Sequence, residues 1–177
     1  MQRLLQIFLD IALWRKGPQD LPASTTLLAL AAMWYAGVSY AQVRLFGFDA
    51  GPSLLLTIVD IAMVYAWLTF TLSLLGLRSR LMQALTAVFG VDALVTLLDV
   101  AIRGISLLSG GNGDGPVSWQ LLRLILTLLL TGRIFAIALE RGLMTGVGIT
   151  LAMSFSARVV AGLFVDLNSV AGGVQDQ

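Results

Sequence analysis

The chain has 177 residues, of which 58% are hydrophobic and 12% are charged, and its mean hydropathy is +0.89. A soluble domain of this length could not bury so much apolar surface, so we expect a membrane protein whose main partner is the lipid bilayer. The net charge of +1 gives no general attraction to nucleic acid. The absence of Cys and His excludes disulfides, thiolate nucleophiles, Ser-His-Asp triads and the usual zinc and haem sites. We therefore expect no cofactor and no metal.

The first segment, residues 1–16, is apolar but interrupted at regular intervals. Gln2, Gln6 and Asp10 recur at a spacing of four, and apolar residues occupy most other positions. This pattern predicts an amphipathic helix that is too short to span a bilayer and lies at its interface. A signal peptide would have a cleaner apolar stretch than one containing Asp10. A helix that docks a partner protein is the other alternative.

Aromatic and basic side chains mark the expected membrane interfaces. Trp14, Arg15 and Lys16 close the N-terminal helix, and Trp119 follows Ser118 at the start of a later hydrophobic segment. Trp rings are enriched at the level of the lipid headgroups, and Lys and Arg extend toward them. We therefore assign both tryptophans and the two basic residues to the interface, and we expect Ser118 to cap its helix.

A linker with two prolines and a glycine, residues 17–23, precedes a region of five hydrophobic segments, residues 24–167. Each segment is long enough to cross a bilayer or nearly so. We call them spans 1 to 5, at about 24–41, 53–77, 82–107, 118–139 and 146–165. A polar tail, residues 168–177, follows. The predicted fold is all-α, a polytopic membrane bundle of five transmembrane helices plus the short N-terminal interfacial amphipathic helix.

Small residues and caps give local signals within the spans. Ser24 can cap span 1, and Gly142 suits the C-terminal cap of span 4. Ala29, Ala32 and Ala36 form a small-residue stripe on span 1, which permits close packing against another helix. The alternative is that alanine is simply a common helix former.

The distribution of basic residues predicts the orientation in the membrane. With the N-terminus in the cytoplasm, six basic residues fall inside and two fall outside. The six are Arg3, Arg15, Lys16, Arg78, Arg80 and Arg141, and the two are Arg44 and Arg103. We therefore expect a cytoplasmic N-terminus and an external C-terminus, and we expect Arg103 to extend outward from the end of span 3.

Six charged residues lie within the predicted spans and need partners, because charges are costly in hydrocarbon. They are Asp60, Asp92, Asp99, Arg123, Arg133 and Arg158. Depth estimated at about 1.5 Å per residue matches Asp99 with Arg123, Asp92 with Arg133, and Asp60 with Arg158. Neutralised pairs that fix helix packing are the favoured interpretation. A polar path for a proton or solute, and charges kept for a partner subunit, are the alternatives.

The layout of five spans, short loops and a short cytosolic N-terminal segment resembles the Yip1-domain membrane family. The run Glu-Arg-Gly-Leu-Met-Thr-Gly-Val-Gly at residues 140–148, before span 5, is similar to bacterial members. The resemblance implies a non-enzymatic protein of a bacterial inner membrane. Eukaryotic members are linked to vesicle traffic and small GTPases, but they have long cytosolic domains that this segment does not match.

Two functions follow from these observations. The first is a structural or accessory membrane protein that docks a membrane-protein partner or a second copy of itself. The alternative is a small transporter or ion-conducting protein with Asp60, Asp92 and Asp99 as relay groups. A wet cavity that reaches a carboxylate would favour transport, and a dry bundle with every Asp bonded to Arg would oppose it. An intramembrane enzyme built on Ser154 and Ser156 lacks a nearby base, so we do not expect an enzyme.

Overall fold

The computed structural model describes residues 2–110 and 116–172, and it describes side chains for 6–110 and 116–163. Within these residues the chain forms helices and no strands. The α-helices are α1 (Gln2–Ala12), α2 (Thr25–Leu45), α3 (Ala50–Leu74), α4 (Leu81–Leu108), α5 (Val117–Ala138) and α6 (Leu143–Gly172). Short 3₁₀ turns at Pro18–Asp20 and Arg78–Arg80 precede α2 and α4.

The all-α class and the number of long apolar helices are confirmed. Helices α2 to α6 are each long and apolar enough to cross a membrane. The spans overlap these helices one to one, with differences at the ends. The last helix continues to Gly172, so residues 168–172 of the predicted tail are helical. The remaining residues of that tail, 173–177, lie outside the described part of the chain.

Helix α4 is the centre of the bundle. It packs against α1, α2, α3 and α5, and α6 packs on α3 and α5. Residues 84–93 of α4 are all buried, as expected of a helix that is apolar on every side. Leu72 of α3, Leu85 of α4 and Phe135 of α5 have almost no exposed surface and form the core at the end where α4 begins.

Helix α1 packs on the outside of this core. Phe8 and Ile11 are each only 3% exposed, and a side-chain carbon at Gly90 of α4 would overlap the Phe8 ring. Gln83 of α4 donates a 2.7 Å hydrogen bond to the Leu21 carbonyl, which fixes the linker after α1. The predicted helix is therefore present, and the placement of its exposed face in the membrane interface stays a prediction.

Small residues make a close helix contact between α5 and α6. On span 1, Ala29 is exposed, but Ala32 and Ala36 are partly buried and Ala32 packs against the core, so close packing by the alanine stripe stays a prediction. The close contact joins α5 and α6, where a side-chain carbon at Gly146 would overlap the carbonyl oxygen of Gly132. This approach of two backbones is the packing that small residues permit in membrane bundles.

The predicted helix starts are right at span 1 and wrong at span 4. Ser24 caps α2, because its hydroxyl oxygen accepts a hydrogen bond from the Leu27 amide at 3.3 Å. At α5 the N-cap is Pro116, and no side chain caps the helix there, so Ser118 lies inside the first turn. Proline serves at this position because the helix leaves its first amides unpaired in any case.

The left-handed residue that ends α5 is Glu140, and the expectation that Gly142 would supply it is wrong. Glu140 has φ +52°, and the amide of Arg141 donates to the Ala136 carbonyl at 2.8 Å. This bonding is a Schellman motif with a non-glycine residue in the left-handed position. Helix α1 ends in the same way, with Trp14 at φ +64°.

Candidate functional site

A fully buried carboxylate, Asp99, collects four hydrogen bonds from three helices. Its Oδ2 accepts from Gln42 Nε2 at 2.6 Å, Arg103 Nε at 2.8 Å and Arg123 Nη1 at 3.1 Å. Its Oδ1 accepts from Trp119 Nε1 at 2.7 Å. We call these five residues the Asp99 cluster. One carboxylate here faces two guanidinium groups, so the charge of Asp99 is fully compensated.

This cluster contains one predicted pair and corrects one other expectation. Asp99 and Arg123 meet as the depth matching predicted. Arg103 does not extend outward, because it is 4% exposed, bonds Asp99 and lies 4.1 Å from the centre of the Phe46 ring. Trp119 is 8% exposed and donates to Asp99, so its ring faces the bundle interior, and its level relative to the membrane interface stays a prediction. The i,i+4 spacing of Asp99 and Arg103 was a readable signal.

Two other carboxylates accept hydrogen bonds from neutral side chains. Asp60 accepts a hydrogen bond from the Tyr35 hydroxyl, and Asp92 Oδ1 accepts from Thr131 Oγ1 at 2.8 Å. None of the ion pairs in the described part of the chain includes either acid. Tyr35 is held by stacking on Phe89, with ring centres 5.5 Å apart. We call Asp60 and Asp92 the carboxylate pair.

The predicted pairing of Asp92 with Arg133 is wrong, because Arg133 turns to α1. Its guanidinium donates to the carbonyls of Ile11 at 3.3 Å and Trp14 at 3.0 Å, and it lies 4.8 Å from the centre of the Trp14 ring. The last turn of a helix has free carbonyls and a negative dipole end, both of which favour a cation. Two residues along α5 rotate a side chain by about 200°. Since Thr131 faces Asp92, Arg133 must face away.

The other predicted interfacial residues at this end have separate surroundings. Trp14 is 48% exposed above the Arg133 guanidinium. Lys16 forms a 3.2 Å ion pair with Asp10, and Arg15 is exposed. All three side chains remain accessible, which suits an interface, and no contact with lipid is part of the structure.

The predicted pair of Asp60 with Arg158 is not formed. Asp60 bonds Tyr35 instead, and no hydrogen bond or ion pair engages the Arg158 guanidinium within 6–110 and 116–163. Both residues nevertheless line the same space. Arg158 is exposed into it, where water can solvate a charge that hydrocarbon would not.

That space is a cavity of about 920 Å³ between α2, α3, α4, α5 and α6, a volume within the range of small-molecule sites. Its charged lining residues are Asp60, Asp92, Arg103, Arg123 and Arg158. Exposed lining residues such as Phe46 and Gln120 lie near the end of α2 and the start of α5. We call this the distal end of the bundle, since α1 lies toward the other end.

The cavity wall has two polar levels with different charge. Tyr35 and Gln42 are seven residues apart on α2, and Asp92 and Asp99 are seven apart on α4. Seven residues advance a helix by about 10 Å and keep nearly the same face. The distal level is the Asp99 cluster, with an excess of guanidinium. The inner level is the carboxylate pair, which forms no ion pair among the described residues.

The serines considered for an enzyme have other contacts. Ser156 Oγ accepts a hydrogen bond from Trp67 Nε1 at 3.0 Å and donates to the Met153 carbonyl at 2.8 Å. Ser154 lines the cavity. Ser156 therefore links α3 to α6, in agreement with the usual role of hydroxyls in helix packing.

Comparison with known proteins gives no relative. No protein-family model matches the chain, no curated protein matches it, and no solved structure matches it. The resemblance to Yip1-domain proteins stays a prediction from the sequence layout.

Proposed function

We propose that this protein is a small integral membrane carrier that takes a proton or a small cationic group into its cavity. The observation that carries the proposal is that Asp60 and Asp92 line the cavity and, within the described residues, bond to neutral side chains and form no ion pair. Hydrogen bonds from Tyr35 and Thr131 satisfy oxygen atoms but bring no positive charge. A carboxylate between membrane-spanning helices is stabilised by a proton or a cation, and a cavity between helices can deliver either.

The proposed location is a bacterial inner membrane with a cytoplasmic N-terminus. The five long apolar helices support insertion in a bilayer. Arg78, Arg80 and Arg141 lie between helices at the end of the bundle where α4 begins, and Arg80 bonds Glu140 there. Arg44 lies at the distal end of α2. Since Arg103 is buried, the positive charge is even more unequal between the two ends than the sequence suggested.

A structural or accessory role is the second candidate, and α1 is the feature that favours it. The helix is held to the bundle through Phe8 and Ile11, while Leu9 and Leu13 are 46% and 60% exposed. This apolar face could lie on the cytoplasmic leaflet or dock a partner protein. Replacing Leu9 and Leu13 by Ser should release a co-purifying partner if docking is its role, and it should leave proton uptake by the carrier intact.

Transport is tested with the full chain reconstituted into liposomes that contain a pH-sensitive dye. A potassium gradient with valinomycin sets an inside-negative potential, and proton uptake is followed by dye fluorescence. We expect uptake above that of empty liposomes. The change Asp60→Asn with Asp92→Asn should reduce it at least tenfold, because the inner level then has no group to accept a proton.

The matched control is Asp49→Asn, an exposed residue before α3 that does not line the cavity. This variant should take up protons as the wild type does. Uptake that the Asp60 and Asp92 replacements leave unchanged would refute the proposal, and so would a wild type that is no more permeable than empty liposomes.

A further inference from the structure

The cavity separates charge of opposite sign along the bundle. Its inner level holds Asp60 and Asp92 with neutral donors. Its distal level holds Asp99 with two guanidinium groups, and Arg158 adds a further cation to the lining. A ligand in this cavity therefore meets groups of both signs.

Two of the cations that line the cavity have donors to offer. A guanidinium has five N–H groups, and Arg123 uses Nη1 on Asp99 while its side chain remains 28% exposed. Arg158 has no bond within the described residues and is exposed to the cavity. Together they can bind a carboxylate or phosphate group, which guanidinium groups recognise with two parallel hydrogen bonds.

The volume of about 920 Å³ limits the ligand to a small molecule. A ligand that carries both an ammonium and an anionic group must therefore be compact.

The remaining wall of the cavity is apolar. Val64, Val95 and Met153 line it and are almost fully buried. Leu124 of α5 also lines it. The volume of about 920 Å³ exceeds what a compact zwitterion alone would fill. A ligand with an apolar substituent would use this wall as well.

From these features we infer that the cavity binds a compact zwitterion with an apolar substituent, its ammonium at Asp60 and Asp92 and its anionic group at Arg123 and Arg158. The inference rests on the proposed function in treating the cavity as a solute site. Two sources supply this chemistry, a free amino acid and the headgroup of an aminophospholipid.

The test is calorimetric titration of the full chain in detergent with three matched probes. They are L-leucine, 3-methylbutylamine, which lacks the carboxylate, and 4-methylpentanoate, which lacks the ammonium. We expect L-leucine to bind at least tenfold more tightly than either half-ligand, because only it meets both levels. O-phosphoethanolamine is titrated in parallel to represent the lipid headgroup.

Variants separate the two ends of the site. Arg158→Gln should weaken the binding of the zwitterion at least tenfold and leave the amine unaffected, while Arg158→Lys should restore most of the affinity. Asp60→Asn should weaken both. Arg141→Gln, an exposed change at the other end of the bundle, should alter neither. Thermal melting of each variant verifies that it is folded.

Either zwitterion binding with this dependence supports the inference. Tighter binding of L-leucine assigns the source to free amino acids, and tighter binding of phosphoethanolamine assigns it to lipid. The inference is overturned if the amine binds as tightly as L-leucine, if Arg158→Gln has no effect, or if neither zwitterion binds. Proton uptake that depends on Asp60 and Asp92 would then still stand, so the two failures are distinguishable.

Discussion

Asp99 and Asp92 lie on the same face of α4, yet their neutralisation should have very different effects on stability. Asp99→Asn removes the carboxylate charge to which Arg103 and Arg123 are both paired. Stranding a buried charge costs about 3–5 kcal/mol. Arg123 is 28% exposed and can turn toward water, so we expect the lower end, about 3 kcal/mol.

Asp92→Asn should be mild by comparison. The amide oxygen of Asn can still accept the hydrogen bond from Thr131, and no ion pair is lost. We expect a cost of at most about 1 kcal/mol, the value of one neutral hydrogen bond. The difference between the two variants, about 2 kcal/mol, is the quantity that distinguishes a structural carboxylate from one that is free to bind a ligand.

Unfolding in mixed detergent and dodecyl sulfate micelles, followed by circular dichroism, measures this difference. A further change, Arg123→Met in the background of Asp99→Asn, removes one of the two guanidinium groups that Asp99 holds and should recover about 1–2 kcal/mol. The assignment of different roles to the two levels is wrong if the free energies of unfolding of Asp99→Asn and Asp92→Asn differ by less than about 1 kcal/mol.

Three further predictions concern the helix contacts. Arg133→Gln removes two hydrogen bonds to carbonyls at the end of α1 and the contact with the Trp14 ring. It should lower the free energy of unfolding by about 1–2 kcal/mol. It should also speed amide hydrogen exchange in α1, which mass spectrometry measures. Gly146→Ala drives a methyl group into a carbonyl of α5 and should cost about 2 kcal/mol in the micelle assay. Glu140→Gly removes the left-handed strain at the end of α5 and should stabilise the protein by about 1 kcal/mol in the same assay.

Each of these changes has a matched control. Gly148→Ala adds a methyl group that meets nothing within 4 Å, so it should be neutral or slightly stabilising. Glu140→Ala keeps the left-handed backbone and should give no gain. Arg15→Gln, at an exposed residue, should leave exchange in α1 unchanged. Equal effects in a variant and its control would contradict the contact that the variant tests.

Hydropathy predicted the fold class well, because backbone groups in a bilayer must be bonded within the chain and only helices of sufficient length satisfy this. The helix ends were less predictable. Ser24 follows a local rule and was found. Glu140 occupies a position where glycine is usual, so no residue-type rule could identify it.

The charge pairings could be predicted from the sequence only in part. Depth along a helix follows from residue number, and depth was sufficient for Asp99 with Arg123. Direction around the helix decides the rest, since Arg133 matches the depth of Asp92 but points the other way. Trp119 joins Asp99 from a different helix, and a contact of that kind depends on packing that no local pattern records.

The predicted spans contain three acidic and three basic residues, but the structure does not arrange them as three matched pairs. Arg103 and Arg123 both pair with Asp99. Arg133 points away from the cavity and donates a hydrogen bond to a carbonyl at the end of α1. Within the described residues, the inner carboxylates are therefore left without an ion pair, and Arg123 acts on them only from a distance. A bundle that needed only to balance its charges would pair each carboxylate directly with a guanidinium. The lack of such a pair among these residues is the physical reason to expect that a proton or a bound ammonium completes the site.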